Sequence, residues 1–179
     1  QDLLNASIYF DFRALAGDAQ LAQTLRTEVQ HAAQATPRFL MQLAHNALSR
    51  SAPLNWRGAI DTASDGTLDL KLQGTALFTD AARIYSLALG VAPCSTQQRL
   101  EGVGPLLQLA ATEYGSWAGG FEFLQMLRLR LQLEGSASCE SPNRLHVASL
   151  NDIDRRILRE SLRVARQLQQ RLQMDYERE

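Results

Sequence analysis

The chain has 179 residues, 45% of them hydrophobic, and a formal net charge of -1. That length and apolar content suffice for one sizeable core, so a single domain over 1–179 is expected. The near-neutral balance excludes a sequence-independent pull toward nucleic acid or anionic lipid, and no apolar run approaches the ~20 residues of a membrane-spanning helix.

The chain opens on Gln1 inside an apolar stretch, Leu3-Leu4 to Phe10, which suggests a domain cut from a larger bacterial protein. Gly17 ends that stretch and Asp18 is a plausible cap for a helix over 18–35, where Leu21, Leu25 and Val29 recur on one stripe. Thr36-Pro37 opens a second helix that buries Phe39, Leu40, Leu43, Ala44, Ala47 and Leu48 and stops near Ser51–Pro53. Asp65-Gly66 between Ile60 and the alternating Leu68, Leu70 and Leu72 predicts a short β-hairpin near 59–72. Helical period resumes at Leu77, Ala81, Ile84, Tyr85 and Ala88, with Gly90 as the natural stop. Ser95 with Gln98 resembles a capping box, in a helix expected to break at Gly104-Pro105.

A long helix over 116–134 places Phe121, Leu124, Leu127 and Leu131 on one side. Its Gly119-Gly120 pair costs about 1 kcal/mol per residue relative to Ala unless another backbone packs closely there. Residues 135–149 read as a connecting loop, and Ser149 with Asp152 caps a last helix whose seam is Ile153, Ile157, Val164, Leu168 and Leu172. The fold class is therefore all-α: an up-and-down bundle of six to seven helices with one short β-hairpin insertion.

Chemistry is sparse. Cys94 and Cys139 form no CxxC, which fits a reducing, cytoplasmic setting, and His31, His45 and His146 have no metal-ligand spacing. No nucleophile elbow or phosphate-binding loop is present. Gly135-Ser136 followed by Asp152-x-Asp154 has the residue types of a nucleotidyl-transfer site. On a helix, however, those two carboxylates point about 200° apart, and acids in a first turn are ordinary macrodipole partners.

Arg155, Arg156, Arg159, Arg163 and Arg166 band the last helix, as a solvated face or as a docking surface for an acidic partner domain. Base-stacking aromatics are not interleaved there, so no nucleic-acid partner is expected. Asp11 and Arg13, Arg83, and Arg128 interrupt apolar contexts, where charge is expensive without a partner; they either pair internally or line a polar ligand pocket. The basic residues are 17 Arg and one Lys, Lys71. Strand alternation would put Asp69 and Lys71 on one face and Leu68, Leu70 and Leu72 on the other. The charged pair then faces solvent or a missing domain, or turns inward onto Asp11, Arg13 or Arg83.

These segments resemble one known family, the nucleotidyltransferase substrate-binding domain, also called the C-terminal domain of unknown function 294. The likeness is carried by Ser7-Ile-Tyr-Phe-Asp-Phe-Arg13 with Gly17-Asp18, Phe39-Leu40 with Leu43-Ala44, Asp69-Leu-Lys71 with Gly74, Ala82-Arg83-Ile-Tyr85-Ser-Leu87, Thr96-Gln-Gln-Arg99-Leu100, and Phe121-Glu-Phe-Leu124 with Leu127-Arg128-Leu129 and Gln132. The resemblance implies a non-catalytic domain that follows a catalytic domain similar to protein-PII uridylyltransferase, often with CBS and cyclic-nucleotide-binding domains upstream. It implies no cofactor in this chain, with Mg²⁺ and a nucleoside triphosphate belonging to the preceding domain. An acceptor protein or small molecule is the implied further partner. Asp11, Arg13, Asp69, Lys71, Arg83, Arg99 and Arg128 are the candidate substrate-binding residues. The alternative is a regulatory interaction module that relays the state of sensor domains through helix packing, with the same charges as structural pairs.

Overall fold

The computed structural model describes residues 9–134 and 141–177. Asp18 starts helix α1 (Ala19–Gln34) by accepting the Gln20 amide at 2.8 Å, and Pro37 begins α2 (Pro37–Leu48) at a position that needs no N–H donor. α2 buries Leu40, Leu43, Ala44 and Ala47. α3 (Ala76–Leu89) is buried on most of its circumference, through Leu77, Phe78, Ala81, Ile84, Tyr85 and Leu87, and packs on α1, α2, the next helix in the chain and the last one. Gly90 ends it with φ +72°, donating its amide to Ser86 O.

α4 (Thr96–Leu106) does not break at Gly104-Pro105 as its sequence predicts. Pro105 lies in the last turn, and the end comes at Gln108, whose φ of +56° lets its amide and that of Leu109 return to Pro105 O and Gly104 O. Gly104 is required for another reason: a Cβ there would lie 2.3 Å from Cγ of the Tyr114 ring. Ser95 stands at the N-cap of α4 without a side-chain cap bond, so the expected capping box does not form.

α5 (Ala111–Leu133) and α6 (Asp152–Tyr176) make the most extensive helix pair. At Gly120 a Cβ would approach Phe78 Cζ at 3.2 Å and Ser161 Cα at 3.6 Å, so close packing offsets that glycine's helix penalty; Gly119 has nothing within 4 Å. The buried stripe of α6 runs through Leu158, Leu162, Ala165, Leu168 and Leu172. Ile153 and Ile157, expected in that seam, are exposed, although Val164 at nearly the same helical angle further along is buried, so packing and not period decides their state. α1, which packs on α2 and α3, leaves Leu21 and Leu25 exposed and buries only Ala33.

Among the described residues one two-stranded antiparallel sheet pairs β1 (Thr67–Asp69) with β2 (Arg144–His146), in the register Thr67↔His146, Leu68↔Leu145, Asp69↔Arg144. The Asp65-Gly66 turn forms: Gly66 has φ +74°, its amide donates to Ala63 O, and Asp65 accepts from the Thr67 amide. The hairpin ladder expected before it does not extend. Ile60 bridges to Leu54 instead, and the pairing edge of Leu68 is taken by Leu145, which buries both leucines in the core. β2 therefore lies within the stretch expected to be a plain loop. Directly after β1 the backbone turns into one π-helical turn, Lys71–Thr75, closed by the Thr75 amide on Leu70 O. Lys71 is thus in a helical turn, and strand alternation ends before it: Leu68 and Leu70 are buried, Leu72 is exposed.

Candidate functional site

The densest charge constellation sits where the short 3-10 turn Tyr9–Asp11 meets α3 and α4. Phe10 packs on Phe39 with ring centroids 5.6 Å apart, which presses the turn onto the bundle. The Asp11 carboxylate then receives one guanidinium on each oxygen, Arg83 Nη2 and Arg99 Nη1, both at 2.6 Å. Arg83 also reaches Asp80 at 3.2 Å, and Arg50 from the end of α2 reaches the other Asp80 oxygen at 2.9 Å. Positive and negative groups alternate along a chain of five. Arg99 is the most buried member and donates further to Pro93 O and Phe10 O. The following residue is held as well, since Phe12 O accepts from Arg26 at 2.7 Å.

Burial raises the Asp11 pKa, but the hydrogen bonds and charges of Arg83 and Arg99 outweigh it and hold the carboxyl below its ordinary value. For Asp80 burial wins over Arg83 and Arg50 and pushes the carboxyl up. The structure therefore joins Asp11, Arg83 and Arg99 and leaves Arg13 apart: it is exposed and has no ion-pair partner among the described residues. Asp80 and Arg50 were not singled out from the sequence. Asp80 and Arg83 stand three apart on a predicted helix, which is a readable signal; Arg50 joins only through tertiary packing.

Asp69, Lys71 and Arg128 gather at a second place, around the π-helical turn. Asp69 Oδ1 accepts the amides of Lys71 and Leu72, each at 2.8 Å, while Gln73 Oε1 accepts the Asp69 amide at 3.0 Å. This reciprocal capping makes Asp69 the start of a helical turn. Arg128 on α5 reaches Thr75 at the end of that turn, and also Asn143 at 3.0 Å and Gln125 at 2.7 Å. Lys71 is exposed and makes no ion pair among the described residues.

At the start of α6 the N-cap is Asn151, whose side chain accepts the Asp154 amide at 2.8 Å; Ser149 and Asp152 do not serve as the cap. Asp154 turns to Arg130 at 2.7 Å, and Asp152 lies 3.6 Å from Arg155. The two carboxylates thus face different arginines, and no cluster of metal-ligating side chains exists among the described residues. Gly135-Ser136 lies outside the described residues. Three of the five band arginines are engaged: Arg155 with Leu150 O, Arg163 with Glu160, and Arg166 with Leu54 O. No helix is long and apolar enough to cross a membrane among the described residues.

The model of the family described as "Putative nucleotidyltransferase substrate binding domain" matches residues 37–176. The match takes in both charge constellations except Asp11, which precedes it, as does the unpaired Arg13. No curated protein and no solved structure matches the chain.

Proposed function

This chain belongs to the family of nucleotidyltransferase substrate-binding domains, and from that premise we propose that it is the non-catalytic partner that positions the acceptor for a nucleotidyltransferase domain preceding it in the same polypeptide. One observation carries the reading: the segment that enters the bundle is clamped, with Asp11 gripped by Arg83 and Arg99 at 2.6 Å and Phe12 O by Arg26. A preceding domain attached through that segment is tethered at a fixed point of the bundle. A fixed tether contributes to catalysis, because keeping reactants close removes translational entropy from the barrier. In this reading Mg²⁺ and the nucleoside triphosphate sit in the catalytic domain, which resembles that of protein-PII uridylyltransferase. Lys71, Arg13 and Arg128 are the cations offered to the acceptor, with Asp69 shaping the turn that carries Lys71. Upstream CBS and cyclic-nucleotide-binding domains would act through the same junction.

The test is nucleotidyl transfer by the full polypeptide with candidate acceptors, a PII-type protein among them. Deleting residues 37–176 should abolish transfer to the acceptor. Undiminished transfer by the truncated protein would overturn the positioning role. A regulatory interaction module is the second reading, favoured by the pairing of Arg50, Asp80, Arg83, Asp11 and Arg99 with one another. It predicts an unchanged acceptor KM together with loss of the response to the upstream domains.

A further inference from the structure

Beside the first two turns of α6 lies a groove of about 720 Å³, within the size range of small-ligand sites. Ala59 and Ile60 form one wall and Val147 another, while Asp152, Arg155, Arg156 and Arg159 supply the charge. Residues 155, 156 and 159 fall within about 100° of one helical face, so their side chains serve the same groove. Three arginines against one aspartate leave a local excess of positive charge.

The three guanidiniums differ in how they are held. Arg155 is oriented by the turn before α6, donating to Leu150 O at 2.8 Å and Ala148 O at 3.4 Å, and its buried Nε has no hydrogen-bond partner. Arg156 and Arg159 make no ion pair among the described residues, although carboxylates are present on both sides along the helix. Asp152 leans to Arg155 and Glu160 to Arg163 at 2.8 Å. The loop that forms the wall is itself fastened to α6, by Arg166 on Leu54 O and by Gln169 on the Ala52 amide and Arg50 O. The groove is therefore built between anchored elements.

We propose that this groove binds a small organic phosphate, its phosphoryl group on Arg155, Arg156 and Arg159 and its apolar body against Ile60 and Val147. A phosphoryl group suits the geometry better than a single carboxylate: it offers three oxygens to donor forks converging from one helical turn, where a carboxylate saturates one fork. None of these residues belongs to the positioning role proposed above, so either assignment survives the failure of the other.

The test is arginine modification by phenylglyoxal in the full polypeptide, mapped by peptide mass, with pyrophosphate, adenosine monophosphate or tetraglutamate at matched ionic strength. Arg38 on α2, exposed and with no ion pair among the described residues, is the internal control. Millimolar pyrophosphate or adenosine monophosphate should slow modification of Arg156 and Arg159 about fivefold, the protection given by occupancy of roughly four-fifths. Arg38 should be unaffected. Arg159→Gln, an exposed substitution that leaves the melting temperature in place, should remove the protection of Arg156. Equal slowing at Arg38, no protection by either phosphate, unchanged protection in Arg159→Gln, or stronger protection by tetraglutamate would each overturn the proposal, the last in favour of an acidic peptide.

Discussion

Replacing Asp11 with Ala removes two charge-assisted hydrogen bonds of 2.6 Å in a single step. Each such bond contributes about 1.5–3 kcal/mol, and breaking a fully buried pair costs about 3–5 kcal/mol. Two features place the expected loss below the sum. Neither arginine is stranded, since Arg83 keeps Asp80 and Arg99 keeps Pro93 O and Phe10 O. Asp11 is also a third exposed (33% for its side chain), against 13% for Arg83 and 5% for Arg99, so water already screens part of the interaction. The expected destabilisation is about 2–3 kcal/mol, which lowers the melting temperature by roughly 5–10 °C in a domain of this size. Urea denaturation of the variant measures it directly. A cycle with Arg99→Met should return a coupling of at least about 1 kcal/mol between the two positions. A loss below about 0.5 kcal/mol, with the fold retained, would show that the clamp behaves as an ordinary surface pair and would remove the basis for a fixed entry segment.

Acid should act on the same network with opposite signs at its two carboxylates. The Asp11 pKa is lowered in the folded state, so its stabilisation is present above the unfolded value of 3.8 and is lost as pH falls through the folded value. The stability gap between the wild type and Asp11→Asn should therefore narrow on acidification below that point. The Asp80 pKa is raised, so its contribution is present below 3.8 and lost as pH rises through the folded value; the corresponding gap for Asp80→Asn should widen toward acid. Denaturation across a pH series reads both, and parallel slopes for the two variants would contradict the assignment. Gly119→Ala should stabilise by about 0.4–1 kcal/mol, since a Cβ there meets nothing within 4 Å, whereas Gly104→Ala should cost about 1–3 kcal/mol by colliding with Tyr114. Thermal melts of the two variants should move in opposite directions. Lys71→Met should leave stability within about 0.5 kcal/mol, because Lys71 is exposed and makes no ion pair among the described residues. A larger loss would reveal a structural role, and unchanged transfer activity in the full polypeptide would remove Lys71 from the acceptor site.

Much of this fold is legible from local chemistry. The 3.6-residue period over 76–89, the Asp18 cap, Pro37 at the start of α2 and Gly90 after α3 each act within a few residues, and the helices form where those signals stand. The Asp65-Gly66 turn is local too, and it forms. Tertiary structure decided which strand pairs with β1, because a strand edge accepts any partner that buries its apolar face, and Leu145 does this where the segment before the turn does not. It also decided the state of Lys71, since Asp69 caps a helical turn once the chain must bend toward α3. Amphipathic period marks a stripe without naming its partner, so the exposure of Leu21, Leu25, Ile153 and Ile157 could not be read from their spacing. Charges in apolar context pointed to Asp11 and Arg83 as residues that need partners, while Arg99 entered only through the family resemblance. That they meet one another, across 72 and 88 residues of chain, depends on how α3 and α4 pack against the entry segment, because Coulomb attraction sets that a buried charge must be answered and only packing sets by which group.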